Sequence, residues 1–250
     1  MMKEIIWVFR RMGRSFMSLQ WACRLRKDFA AWLRFWKAYR MYRDMAPEEL
    51  RPPVACLYPC IGEDVATTPI EPVYFYQDSW AFERIARLRP DSHVDVGSHH
   101  VFVAHLSKII PTTMVDIRPL SLNMPSIRFK EGTILNLPFE DESIGSLSSL
   151  CVVEHIGLGR YGDPLDPFGS EKAFSELRRV LAPGGHLFFS VPVDDDNITY
   201  FNAHRAFTQE TLLSWFGSLV VEDEKYICGS ELLSIKAPGY CTGLYHLRKS

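Results

Sequence analysis

The sequence predicts an α/β fold: a doubly wound, mostly parallel seven-stranded sheet with helices on both faces. Three observations predict it. Short apolar runs alternate with helical periods between His93 and Pro192, the first run turns on a glycine in Asp95-Val-Gly97-Ser98, and the second run stops on an acid, Asp116. Alternation of this kind is the mark of parallel strands joined by crossover helices.

Ahead of that domain, residues 1–43 read as a basic, Trp-rich amphipathic helical arm. They hold 11 Lys and Arg against only Glu4 and Asp28, a balance of +9, while residues 44–250 hold 17 against 28, a balance of -11, which the net charge of -2 conceals. Four of the six tryptophans (Trp7, Trp21, Trp32, Trp36) lie in the arm. Ile5, Phe9, Met12, Phe16 and Leu19 share one helical face with Lys3, Arg10 and Arg14 opposite; Ala22, Leu25, Phe29, Trp32, Trp36 and Tyr39 repeat the pattern with Lys27, Arg34 and Lys37 opposite. The longest uncharged stretch, Ser15–Cys23, is nine residues, short of the roughly 20 that span a bilayer. Two readings stay open: a helix lying on an anionic membrane surface, and a hairpin packed on protein. A nucleic-acid arm is not expected, because such tails lack an apolar stripe. Nor is a cleavable signal, since Ile5–Phe9 is too short an apolar region and no small-residue site follows it.

Residues 44–72 read as a linker, with Pro47, Pro52, Pro53, Pro59, Pro69 and Pro72 favouring an extended connection. Cys56 and Cys60 have no second close pair, and Cys23, Cys151, Cys228 and Cys241 are scattered singly, so no metal site is expected. Unpatterned cysteines without an export signal fit a reducing, cytoplasmic setting, peripheral on the inner face of a membrane if the arm binds one.

Residues 73–250 form the expected main domain. Tyr74, Tyr76 and Trp80 lead into a helix over Ala81–Leu88 that stops before Pro90, and Tyr74, Tyr76 and Trp80 either line a pocket or pack in the core. Strands follow at His93–Gly97, Met114–Asp116, Ile127–Phe129, Ile144–Val153 and His186–Val191, with helices over Val101–Ile110 and Glu171–Leu181 and a breaker at Pro183-Gly184-Gly185. Asp194-Asp-Asp196 opens a polar loop, Thr208–Phe216 is helical, and Leu219–Ile227 and Cys241–Leu247 are an antiparallel pair at the sheet edge.

In such a sheet the ligand lies beyond the carboxyl ends of the strands at the switch point. Asp116, 19 residues after Gly97, stands where a carboxylate accepts both ribose hydroxyls of an adenosine moiety. The turn holds a single glycine, which argues against a dinucleotide and hence against a nicotinamide oxidoreductase.

Taken together, Asp95-Val-Gly97, Asp116, Leu137-Pro-Phe139, Ser148-Ser-Leu-Cys-Val-Val-Glu-His155 and Glu176-Leu-Arg-Arg-Val-Leu-Ala-Pro-Gly-Gly-His-Leu187 resemble a class I S-adenosylmethionine-dependent methyltransferase. More narrowly, Glu154-His-Ile-Gly-Leu-Gly-Arg-Tyr-Gly-Asp-Pro164 and Phe201-Asn-Ala-His-Arg205 resemble an uncharacterised methyltransferase-like family associated with surface-polysaccharide biosynthesis. The resemblance runs from about Val73 to about Thr208 and implies a Rossmann-like methyltransferase fold with S-adenosylmethionine as cofactor. It assigns cofactor contacts to Asp95, Gly97, Ser98, Asp116, Thr133, Ile134 and Leu150. The sequence departs from the family at His99 and Val101, where further glycines are usual, and at Thr133, where an acid is usual.

His155 is the first candidate general base, since it ends the fourth strand and an imidazole pKa of about 6.5 suits proton removal near neutrality. His204 is the second. Glu154, Asp163 and Asn202 are candidates for acceptor hydroxyls, with Asp166 beside them, and Arg160 and Arg205 for a carboxylate or phosphate. Three classes result: a methyltransferase acting on a sugar, glycan precursor or other small molecule at the cytosolic membrane face, a catalytically inactive binding or assembly module of the same fold, and the disfavoured oxidoreductase.

Overall fold

The computed structural model describes the backbone of residues 19–250 and the side chains from Phe29 onward. The chain divides into two compact units, one ending at Pro69 and one spanning Ile70–Ser250. In the first, helix α1 (Leu19–Met45) carries the second aromatic pattern of the arm. Trp32, Phe35, Trp36 and Tyr39 meet edge to face in succession, ring centroids 5.4 to 5.9 Å apart. The first pattern, Ile5 to Phe16, lies outside the described residues. Beyond Met45 the chain is irregular except for two 3-10 turns, Glu48–Leu50 and Val54–Cys56, each entered from a proline. No helix among the described residues is long and apolar enough to cross a membrane.

The second unit opens with α2 (Pro72–Leu88), nine residues earlier than the expected Ala81. Glu71 explains the difference: its side chain accepts the Tyr74 N–H at 2.7 Å, and Pro72 follows in the first turn, where its missing N–H has no helical partner to lose. Arg89, left-handed at φ 51, closes the helix ahead of Pro90. There follow β1 (His93–Val96), α3 (His100–Leu106), β2 (Thr112–Asp116), β3 (Ile127–Glu131), β4 (Ile144–Leu150), α4 (Gly169–Val180), β5 (Leu181–Val193), β6 (Ile198–Tyr200), β7 (His204–Ala206), α5 (Gln209–Phe216), β8 (Val220–Cys228), β9 (Glu231–Leu233) and β10 (Cys241–Arg248).

The sheet order is β3-β2-β1-β4-β5-β10-β8-β9. Strands β1 to β5 are parallel, and β10 runs antiparallel between β5 and β8. The eighth strand is the three-residue β9 at the edge. Strands β6 and β7 pair as a separate hairpin where the sequence reads as a polar loop. The expected break at Pro183-Gly-Gly is a bulge instead. Strand β5 runs through it, Ile144 pairing with Leu181 and Ser146 already with His186.

Both sheet faces are buried, and β5 shows how. Leu187, Phe189 and Val191 pack with α4 (Phe174, Leu177) and α5 (Leu212, Phe216), while Phe188 turns to the other face with α2 (Trp80, Ile85) and α3 (Phe102, Leu106). The period of two explains why the run lacks polar alternation. Each such side chain contributes about 1.5–3 kcal/mol on full burial. Between β1 and β4 the core is polar: His93 bridges Ser146 and Ser148 at 2.8 Å each, and burial holds its pKa down at about 3. Cys228 and Cys241, expected to be isolated, are joined by a disulfide across β8 and β10, their Cα atoms 4.4 Å apart. Only strand pairing brings them together, since 13 residues separate them in sequence.

Candidate active site

The strand order reverses beside β1, which opens a crevice at the carboxyl ends of β1, β2 and β4. A cavity of about 860 Å³ lies there, toward the top of the roughly 300–1,000 Å³ common for small-molecule sites.

Its first wall is the turn after β1. Gly97 has φ 70, which favours glycine, and a Cβ there would press on Val152 at 3.1 Å. Asp95 is fully buried, its carboxylate accepting Ser98 N–H at 3.1 Å and Ser148 Oγ–H at 2.5 Å. It ties the turn to β4, and burial pushes its carboxyl up to about 6. Ser98 Oγ in turn accepts Leu150 N–H at 3.0 Å. His99 has φ -59, which suits any residue, so this turn needs no second glycine. Its ring lies 4.7 Å from that of Tyr74, and its Nδ1 is 3.4 Å from Asp78.

The second wall is the end of β2. Asp116 lines the cavity beside Leu120, Met124 and Ile127, with Oδ1 accepting Arg118 N–H at 2.9 Å.

The third wall begins at Cys151, a non-glycine residue at φ 53. Such strain costs about 1–3 kcal/mol and concentrates at functional sites. The 3-10 turn Val153–His155 follows directly. Glu154 is 2 % exposed, lines the cavity and has no hydrogen-bond partner for Oε2 among the described residues. Burial pushes its carboxyl up to about 8, so it is protonated at neutral pH. His155 Nδ1 lies 2.7 Å from Ala203 O. A carbonyl only accepts, so Nδ1 carries the hydrogen and the neutral ring keeps its lone pair on Nε2, 3.7 Å from Glu154 Oε1. Burial, seconded by the Arg160 charge, holds the His155 pKa below the ordinary value. Arg160 also donates to Ala203 O, at 3.1 Å. His204, at the start of β7, stands perpendicular to His155 with ring centroids 6.5 Å apart, and burial lowers its pKa as well.

The loop carrying these groups is held from beneath. Gly157 has φ 82, and a Cβ there would overlap Asp166 O at 2.1 Å. Asp163 accepts Gly157 N–H at 2.6 Å and Tyr161 N–H at 3.2 Å. Arg205, 7 % exposed, donates to Ile156 O, Ser170 Oγ and Asp166 O at 2.6, 2.9 and 3.0 Å.

Of the residues singled out from sequence, Gly97, Ser98, Asp116, Leu150, Glu154, His155, Arg160 and His204 line this one cavity. The other residues proposed for cofactor or acceptor contacts lie elsewhere. Asp95 faces two serines inside the protein. Thr133 keeps its hydroxyl for Leu135 N–H within its own turn, and Ile134 is core. Asp163 and Arg205 brace the loop, Asp166 is bonded to Lys172, and Asn202, left-handed at φ 62, points its amide at Leu158 O. Tyr74 lines the cavity, whereas Trp80 packs in the core and donates to Asp223. The sequence reading missed Arg118, Tyr161, Tyr240 and Thr242, which also line it. Arg118 and Tyr161 each adjoin a residue already singled out or nearly so, but Tyr240 and Thr242 arrive only through the pairing of β10 with β5.

A family described as Caenorhabditis protein of unknown function, DUF268, matches residues 136–217, a third of the chain that includes both the Glu154–Pro164 and Phe201–Arg205 blocks. No curated protein matches the sequence. Among solved structures, a protein from Galdieria sulphuraria provisionally assigned as a sarcosine dimethylglycine methyltransferase is 16% identical with a TM-score of 0.52, over 70% of this chain and 86% of that one. An S-adenosylmethionine-dependent methyltransferase from Thermotoga maritima is 20% identical (TM-score 0.45, 71% and 92% covered). The 1,6-didemethyltoxoflavin-N1-methyltransferase of Burkholderia thailandensis, solved with 1,6-didemethyltoxoflavin and S-adenosylhomocysteine, is 15% identical (TM-score 0.48, 74% and 93% covered).

Proposed function

We infer that the second unit, by its strand order and its likeness to the Galdieria protein, has the fold of class I S-adenosylmethionine-dependent methyltransferases. We propose that the chain is such an enzyme, methylating a hydroxyl of a sugar or glycan precursor. One observation carries the reading. A neutral His155, fixed through Nδ1 to Ala203 O, lines the same cavity as the Asp116 carboxylate.

The donor set fits the cofactor. Asp116 would hold the ribose, Leu120, Met124 and Ile127 the adenine, and Gly97 and Ser98 the part nearest β1. When bound, S-adenosylmethionine supplies an electrophilic methyl group for in-line displacement. The protein's task is then alignment and proton removal. His155 Nε2 takes the acceptor's proton. Its depressed pKa keeps it a free base at neutrality, and Glu154 Oε1, 3.7 Å from Nε2, is too far to hydrogen-bond it. His204 and the ring of Tyr240, whose hydroxyl is 3.5 Å from His204 Nε2, bound the acceptor side. Flat tyrosine rings with a few polar groups suit a sugar. The basic aromatic arm supports placing the reaction at an anionic membrane surface.

The test is kinetic. His155→Gln should lower turnover by about 10² to 10⁴ while S-adenosylhomocysteine affinity stays within threefold, because the proton matters in the transition state and little in cofactor binding. Full turnover in the variant would exclude His155 as the base.

A further inference from the structure

We propose that Arg118 and Arg160, both set against the ring of Tyr161, form an anion subsite in the cavity, so that the acceptor carries a carboxylate or phosphate close to the hydroxyl that is methylated. This deepens the methyltransferase reading and rests on it.

The two arginines come from different walls, Arg118 from the end of β2 and Arg160 from the loop after β4. Both guanidinium groups lie against the Tyr161 ring, at 4.7 and 5.1 Å from its centroid, and all three residues line the cavity. Several other arginines of this unit commit their donors to acidic or carbonyl partners. Arg179 bonds Glu176, Asp141 and two carbonyls, Arg84 bonds Asp223, and Arg205 bonds two carbonyls and a serine. Arg118 and Arg160 differ in lacking a close carboxylate. Arg118 reaches only Asp116, loosely, at 3.8 Å, and among the described residues no carboxylate lies within 4.0 Å of Arg160, one of whose nitrogens meets Ala203 O. Stacking on an aromatic ring fixes a guanidinium plane while leaving its in-plane N–H donors to face outward. The nearby Asp163 makes no ion pair within 4.0 Å with either arginine among the described residues, and both its oxygens accept backbone N–H groups of the loop. Two cations against one ring repel each other, and an anion bound between their donors removes that cost.

The geometry also bounds the ligand. Tyr161 meets His155 edge to face at 5.9 Å, so the anionic group and the accepting hydroxyl must lie within one small molecule or one residue of a glycan. Sugar acids and sugar phosphates satisfy this.

The probes are glucuronate, glucose 1-phosphate and neutral methyl glucoside, titrated calorimetrically into the full-length protein with and without S-adenosylhomocysteine. At least one anionic sugar should bind tenfold or more tightly than the neutral one, and the tighter of the two tells carboxylate from phosphate. Arg118→Gln and Arg160→Gln should each lose most of that preference at unchanged melting temperature, and the Lys variants should keep part of it as point charges without a fork. Anionic and neutral sugars binding equally would overturn the subsite, as would retained preference in both folded Gln variants. Should the anion preference hold while S-adenosylhomocysteine fails to bind, the subsite stands and the methyltransferase reading falls.

Discussion

Glu154 and His155 are adjacent in sequence and opposite in what burial does to them. Burial raises the Glu154 carboxyl from 4.5 to about 8 and lowers the His155 imidazole, so both are uncharged near neutrality. For Glu154 the linkage is definite. The folded chain keeps a proton that the unfolded chain has lost, so the stability present below pH 4.5 drains away as pH rises toward 8. Glu154→Gln removes that loss. Its melting temperature should exceed the wild type's by a margin that grows from pH 5 to pH 8 and then levels, reaching about 2–4 kcal/mol in stability. Parallel pH-dependent melts check this, and a margin that is constant with pH would show the carboxyl ionised throughout. For His155 the base form persists below its ordinary value of 6.5, so kcat/KM should stay level down to that pH and fall only beneath it. The sequence made His155 legible, because it ends an apolar strand. It left Glu154's role illegible, because a pKa depends on how tightly the folded chain encloses the group.

At the scale of elements, the loop from Ile156 to Gly169 explains why half of the polar candidates moved from substrate to scaffold. A loop presenting His155 and Arg160 to a cavity must have its own backbone groups satisfied, and Asp163 and Arg205 do this. In sequence, a loop Asp or Arg that braces a backbone looks the same as one that binds substrate. Arg205→Ala should therefore cost about 2–4 kcal/mol of stability, as removal of a buried, multiply bonded cation does, and any effect on turnover should follow from the loosened loop. Denaturant unfolding checks this; an unchanged midpoint with an altered acceptor KM would return Arg205 to the substrate. The aromatic opening of helix α2 obscures its period, whereas its Glu71-Pro72 cap is a legible start. The β6–β7 hairpin, which delivers His204, turns on Asn202 at φ 62 and joins strands of only three residues, too short for alternation to show.

For the whole molecule, the alternation of apolar runs and the Asp95–Gly97 and Asp116 landmarks were enough to read the parallel sheet and its switch point. The placing of β10 between β5 and β8, which brings Tyr240 and Thr242 to the cavity and closes the Cys228–Cys241 disulfide, depends on pairing between distant segments and leaves no local trace. The arm is a separate question with its own test. If its exposed Phe29, Trp32 and Leu33 enter an anionic bilayer, the full-length protein should sediment with vesicles rich in acidic lipid and leave them as the screening length falls toward about 3 Å at 1 M salt; equal recovery from neutral vesicles would favour packing on protein. The claim on which the rest depends is that the cavity holds the adenosyl cofactor by Asp116. Calorimetry with S-adenosylhomocysteine tests it most directly. The full-length protein should bind one equivalent, and Asp116→Ala, melting as the wild type does, should bind ten- to a hundredfold more weakly, the equivalent of about 1.5–3 kcal/mol in charge-assisted bonds. A folded wild-type protein that binds none, or an Asp116→Ala variant that binds as tightly as the wild type, would contradict it.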